Sequence, residues 1–266
     1  YEIPLAIQDR TFMMKDPTTG NNELWFPNVG INPTIHPYWM PEFFGNTIMV
    51  NGKVWPNLNV EPRQYRFRLL DGSNARFYTL SFSNKMQFIQ IGSDGGYLPA
   101  PVTLTELTIA PGERADVLVD FSALAPGTKV ILTNTAKTPF PKGAPADPQT
   151  VGQIMQFTVL PGTPIPPNPL LPPLNTIPIL TPDQPARTLV LWEVMGVAGP
   201  LEILLNGQKW AADISELPKV GTTEDWIIVN PTADTHPIHL HLVQFQLVSR
   251  QALQTKKYTM DWLAIQ

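Results

Sequence analysis

Three of the four histidines in this 266-residue chain fall within six positions, His236-Pro237-Ile238-His239-Leu240-His241. Imidazole is the commonest metal ligand, and it suits copper, zinc, iron and nickel. The alternating apolar run from Leu240 to Leu247 reads as a buried strand. Side chains alternate faces along a strand, so His239 and His241 point the same way, about 6–7 Å apart at their Cα atoms. That spacing serves one metal or two neighbouring metals. Pro237 has no backbone N–H and belongs at the strand's entry. His236 is therefore expected on the incoming loop, free to serve a different centre. A lone histidine on an apolar face is a core residue with satisfied hydrogen bonds. Three in six residues point to a metal without naming it. The fourth, His36, stands before Pro37, away from other ligand types, and reads as structural or surface.

The elements around this cluster must be strands. The chain has 30 prolines and 17 glycines between short β-branched and aromatic runs, the pattern of an all-β fold. Hydrophobic residues make up 43% and charged residues 15%, which excludes a disordered chain. The net charge of −4 is scattered, with no basic stripe for nucleic acid. No apolar run approaches the roughly 20 residues needed to span a bilayer. There is no cysteine, hence no disulfide framework. The chain starts at Tyr1 and stops soon after an apolar strand, so both ends are expected to be cut.

A first strand is expected over Tyr1 to Asp9. Residues 13–46 form a long excursion whose aromatics, Trp25, Phe26, Tyr38, Trp39, Phe43 and Phe44, suggest packing against a neighbour. Strands follow at 47–51, 64–70, 76–82, 87–91, 103–109, 115–121, 128–133 and 153–159. Turn signals such as Asn51-Gly52 and Pro111-Gly112 separate them. That spacing makes residues 1–160 a Greek-key β-sandwich. Residues 161–186 are a linker: ten prolines between 161 and 185 exclude a buried strand. Residues 187–266 then start a second, partial sandwich, with strands at 187–194, 201–206, 224–230 and 239–249. A half sandwich leaves open sheet edges that call for partner strands.

The two parts repeat each other. Ile48-Met49-Val50-Asn51-Gly52-Lys53-Val54-Trp55 parallels Ile203-Leu204-Leu205-Asn206-Gly207-Gln208-Lys209-Trp210. An aromatic-centred strand follows in each, then Asp71-Gly72-Ser73-Asn74 in one copy and Asn230-Pro231-Thr232 in the other. The next strand carries aromatics in the first copy and the histidines in the second. This is the look of a duplicated domain in which one copy bears the metal.

These residues also resemble a known family. Ile7-Gln8-Asp9-Arg10, Asn51-Gly52-Lys53-Val54-Trp55-Pro56, Ala110-Pro111-Gly112-Glu113-Arg114-Ala115-Asp116 and Thr235-His236-Pro237-Ile238-His239-Leu240-His241 are similar to the multicopper oxidases, and most to their spore-coat laccase and bilirubin oxidase branch. The resemblance covers essentially the whole chain. It implies cupredoxin-like sandwiches: the second of the family's three domains, complete, and the start of the third. It implies copper, four atoms in a complete enzyme. His236 matches a ligand of type 1 copper, His239 one of type 2 copper and His241 one of the type 3 pair. It implies a laccase-like oxidase taking single electrons from phenols, aromatic amines, pigments or metal ions and reducing dioxygen to water. Thr235 and the loop from Glu193 to Gly199 become candidates for the wall of the reducing substrate's pocket. An extracytoplasmic or spore-coat location goes with that branch. The eight methionines are scattered, Met13-Met14 being only a pair, so no Met-rich cuprous site is expected.

The departures are large. A blue copper site takes two His, one Cys and a weak axial ligand. No Cys is present, and neither the family's His-Cys-His motif nor its first-domain His pairs occur here. The expectation is an incomplete set of copper ligands, completed by N- and C-terminal segments of the same protein. Two rival readings are a copper-free cupredoxin-type scaffold and a His-ligated zinc enzyme. The zinc reading requires all three histidines to converge, which Pro237 and strand alternation oppose.

Overall fold

Strand formation here follows from alternation. Between Gln64 and Asp71, the side chains of Tyr65, Phe67, Leu69 and Asp71 are buried, and those between them face outward. A computed structural model describes residues 1–13, 18, 23–27, 38, 40, 42–197 and 199–254. His36 and Met14 lie outside the described residues. The chain divides into two compact units. The first comprises Tyr1–Phe26 and Glu42–Ile177, and the second takes in the described residues from Pro178 on.

Twelve strands build the first unit: β1 (Glu2–Arg10), β2 (Thr47–Val50), β3 (Lys53–Val54), β4 (Asn57–Val60), β5 (Gln64–Asp71), β6 (Tyr78–Phe82), β7 (Phe88–Ser93), β8 (Gly96–Leu104), β9 (Leu107–Ile109), β10 (Arg114–Asp120), β11 (Lys129–Asn134) and β12 (Gln153–Val159). They form a seven-stranded sheet, β3-β2-β1-β5-β10-β7-β8, and a five-stranded sheet, β4-β12-β11-β6-β9. The out-of-sequence order, with β1 parallel to β5 and β4 parallel to β12, is that of a Greek-key sandwich. Both sheets feed one core. Phe67 meets Phe157 at 5.4 Å between ring centroids, and Phe82 meets Phe88 at 4.7 Å. The all-β, cupredoxin-like expectation holds.

One detail differs from the sequence reading. The expected strand 103–109 is the end of β8 and the separate β9. β8 itself, with Pro99 and Pro101 and mostly exposed, is an edge strand. In the long excursion, Phe12 bridges Leu24 and Trp25 stacks on Phe43 at 5.9 Å. Trp39 lies outside the described residues.

The second unit has three strands, β13 (Arg187–Gly196), β14 (Gly199–Leu205) and β15 (Trp226–Val229), in the order β14-β13-β15. β13 pairs antiparallel with β14 and parallel with β15, as β1 does with β2 and β5. The copies match at the level of single bonds. Asn51 (φ 50°) accepts the Ala6 N–H on Oδ1 at 2.9 Å and donates from Nδ2 to the Pro4 carbonyl at 2.8 Å. Asn206 (φ 51°) does the same with the Val190 N–H at 2.7 Å and the Thr188 carbonyl at 3.2 Å. With Ala6 aligned on Val190, Asp9 aligns on Glu193 and Asp71 on Asn230.

Candidate metal centre

In the first copy, the aligned place is closed by charge. Arg76 is buried and donates to Asp9 Oδ2 at 2.9 Å, to Thr138 Oγ1 at 3.0 Å and to the Gly45 carbonyl at 2.8 Å. The Gly45 N–H returns to Asp9 Oδ2 at 2.7 Å. Gly45 runs so close to Arg10 that a Cβ would lie 2.4 Å from the Arg10 nitrogen, hence glycine. Below this pair, the Ser73 N–H donates to Asp71 Oδ1 at 2.9 Å, and Ser73 Oγ meets the Tyr78 hydroxyl at 2.9 Å. Burial pushes the Asp71 carboxyl up to about 7; bonds from Ser73 oppose the rise, and the charges of Asp9 and Glu113 add to it.

The second copy repeats the turn and changes the occupants. The Thr232 N–H donates to Asn230 Oδ1 at 3.0 Å, an Asx turn. Asn230 Nδ2 donates to the Asp234 carbonyl at 2.6 Å. The turn brings His236 back over itself, with Nε2 2.8 Å from Thr232 Oγ1 and 3.8 Å from Glu193 Oε1. Burial raises the Glu193 carboxyl above its ordinary value; His236 lowers it, and the charge of Asp234 adds to the rise. An acid–base pair thus occupies both copies: Asp9 with Arg76, and Glu193 with His236.

His239 and His241 lie together, ring centroids 4.9 Å apart and edge to face. The proximity expected of residues two apart holds, but the buried strand 239–249 does not form. Residues 239–249 lie outside any strand and are largely exposed. The Val243 N–H donates to the His241 carbonyl at 2.9 Å, closing a γ-turn around Leu242 at φ 72°. The physical reason is in the first copy. There the aligned strand β6 is held on one side by β11 and on the other by β9. Among the described residues, nothing plays those parts for 239–249. The segment therefore gains no ladder of strand hydrogen bonds, and the apolar side chains of Val243, Phe245, Leu247 and Val248 stay exposed.

Of the other site candidates, Glu193 stands beside His236. It belongs to β13, and Gly199 opens β14, so the expected loop from Glu193 to Gly199 is a β-hairpin. Gly199 pairs with Gly196, three residues and roughly 10 Å along the strand from Glu193. Thr235 precedes His236 and is half-buried. Among the described residues, no three His, Cys, Asp or Glu side chains gather as one metal site. His236 is thus set apart from the His239–His241 pair, against the convergence that a three-histidine zinc centre needs. The sequence reading missed Asn230 and Thr232. Their signal was the alignment of Asn230-Pro231-Thr232 with Asp71-Gly72-Ser73.

Multicopper oxidase family models match residues 34–154 and 179–263. The chain belongs to the multicopper oxidase family. It is 42% identical over 264 residues to a laccase of Bacillus subtilis, covering 97% of this chain and 49% of that protein. It is 39% identical over 263 residues to the multicopper oxidase LPR1 of Arabidopsis thaliana, covering 95% of this chain and 43% of that protein. Among solved structures it is similar to the McoA multicopper oxidase of Aquifex aeolicus, with TM-score 0.72, 29% identity, and 96% of this chain and 54% of that one covered. The chain spans about half the length of the curated relatives it matches.

The cofactor of multicopper oxidases is copper, and the donors present fit it in kind. All three are imidazoles, which suit copper. One stands apart with Nε2 engaged, which leaves Nδ1 for a metal, and two stand side by side. No helix long and apolar enough to cross a membrane occurs among the described residues.

Proposed function

We propose that this chain is the copper-facing wall of a laccase-like multicopper oxidase, its two units being the second domain and the start of the third. His236 would hold type 1 copper, His239 type 2 copper and His241 one of the type 3 pair. The remaining ligands, a cysteine among them, come from other segments of the same protein. The carrying observation is the separation of the histidines: one folded back over the Asn230 turn, two paired 4.9 Å apart. Bound at such centres, copper supplies one-electron chemistry from a phenol, aromatic amine, pigment or metal ion to dioxygen, which leaves as water. The residues of this chain hold imidazoles in fixed places. Thr235, Glu193 and Gly199 are proposed to line the approach of the reducing substrate. An extracytoplasmic or spore-coat location goes with this reading, on the resemblance to the spore-coat laccases.

The test is metal analysis and visible spectroscopy of the protein that carries this chain with its remaining ligands. His236→Ala is expected to abolish the intense blue absorption and to keep copper at the other centres. His239→Ala and His241→Ala are expected to do the reverse. A protein that binds no copper, or a His236→Ala variant that stays blue, contradicts the reading; the first result would favour a copper-free scaffold.

A further inference from the structure

Thr232 Oγ1 is within hydrogen-bonding reach of Asn230 Oδ1 at 2.6 Å, His236 Nε2 at 2.8 Å and the Asp234 carbonyl at 3.3 Å. A threonine hydroxyl has one proton to give and lone pairs to accept with. Asn230 Oδ1 is an acceptor, because it already takes the Thr232 backbone N–H. The Asp234 carbonyl can only accept. The single hydroxyl proton therefore goes to an oxygen, and Asn230 Oδ1 is the nearer. Turning it to His236 instead would leave two oxygens facing each other at 2.6 Å with no proton between them. For His236 the hydroxyl has only a lone pair left, so Nε2 must carry a hydrogen and donate it. In the neutral ring, Nδ1 then keeps its lone pair.

We propose that Asn230 and Thr232 are positioning residues that fix His236 as the Nε2–H tautomer and present Nδ1 as the ligating nitrogen. The identity of the metal as copper rests on the function proposed above. The hydrogen bonding does not. Glu193 acts with them from β13, its carboxylate 3.8 Å from the same N–H and in the place that Asp9 holds in the first copy. A ring nitrogen held by a neighbour decides which nitrogen is left for the metal, and such partners typically change metal affinity 10–100-fold. The first copy shows that the device is built into the fold. Ser73, on the same turn, accepts the Asp9 N–H at 3.2 Å and meets the hydroxyl of Tyr78, five residues on. Only the second copy places an imidazole there.

The test uses the metal-free full chain with its histidines labelled with nitrogen-15. Long-range proton–nitrogen spectra are expected to show His236 protonated at Nε2 and bare at Nδ1. Free imidazole side chains also favour that form, so protection of the ring proton is the sharper readout. Thr232→Val is expected to speed exchange of the Nε2 proton, and Thr232→Ser to restore the protection. In the copper-loaded protein that carries this chain with its remaining ligands, Thr232→Val is expected to weaken copper binding at the blue centre about tenfold, read by titration with a chelator, again restored by serine. A proton on Nδ1, or equal exchange in Thr232→Val and the parent, overturns the relay whatever metal is bound. A protected Nε2 proton, in a protein that carries the remaining ligands and still shows no blue band with copper, supports the relay and instead overturns the copper assignment of His236.

Discussion

The sharpest stability test lies in the first copy, where Asp9 and Arg76 form a buried pair: Asp9 is fully buried and Arg76 is 4% exposed. Replacing Arg76 with Met keeps most of the volume and removes three bonds at once. Asp9 would keep only the Gly45 N–H on Oδ2, and its Oδ1 already lacks a partner among the described residues. The charge of Asp71 lies in the same pocket. Removing one partner of a buried pair costs about 3–5 kcal/mol, because the other charge stays buried. In a unit of this size each kcal/mol moves the midpoint by about 2–4 °C, so Arg76→Met should lower it by about 6–20 °C. The Arg68–Glu2 pair is the control, since both side chains are about half exposed. Arg68→Met should cost no more than about 1 kcal/mol.

The assay is urea unfolding of the full chain followed by far-ultraviolet circular dichroism, with the Asp9→Leu, Arg76→Met double variant alongside. Exchanging a buried pair for apolar residues is often near neutral. Here the Gly45 N–H is orphaned, which costs about 1–3 kcal/mol. The double variant should therefore be more stable than Arg76→Met alone, a coupling that additive effects would not produce. An Arg76→Met loss below about 1 kcal/mol, or a double variant equal to the sum of the singles, would refute the reasoning that the uncompensated charge carries the cost.

Two further predictions concern the turns. Asp71, held at about 7, is raised above the roughly 3.9 of an unfolded chain, so the folded state binds its proton more tightly. Its contribution is complete below about pH 4 and lost as pH rises through about 7, at most about 4 kcal/mol in all. Asp71→Asn, the residue that the second copy carries as Asn230, should flatten that slope, gaining on the parent more at pH above 7 than below 5; parallel unfolding curves across this range would contradict it. At Asn206, φ of 51° and two side-chain bonds to β13 can be separated by substitution. Asn206→Gly loses the bonds, about 1–2 kcal/mol. Asn206→Ala loses them and adds backbone strain of about 1 kcal/mol or more, so hydrogen exchange of the Val190 amide, which Asn206 Oδ1 accepts, should rise further in Ala than in Gly.

Much of the first unit was legible because its strands alternate cleanly. Tyr65, Phe67 and Leu69 point inward as their spacing requires. The internal repeat was legible because Asn51 and Asn206 each need a residue that tolerates positive φ and bonds the neighbouring strand. β8 was not, since two prolines and an exposed face remove the alternation that marks a strand. The segment 239–249 failed for the opposite reason. Its alternation is strong, but a strand needs neighbours as well as a pattern, and here they are lacking among the described residues. Thr232 escaped notice because its work is local hydrogen bonding, which leaves no periodicity. Only the comparison with Ser73 could have exposed it.

The two copies show what turns a structural turn into a ligand-bearing one. An arginine has no lone pair for a metal and is always charged, so the first copy must bury a carboxylate beside Arg76, and it tolerates a second acid, Asp71, below it. A metal-binding imidazole must instead be neutral, with one nitrogen bare. A carboxylate at the Asp71 position would add charge under the ring, and a protonated one could donate to the hydroxyl and release it to give its proton to Nε2. An amide does neither. Asn230 Oδ1, tied to the Thr232 N–H, can only accept, so the hydroxyl proton points away from the ring. The change from Asp71 to Asn230 is therefore as much a part of the metal-bearing copy as His236 itself, because it determines which imidazole nitrogen is left free.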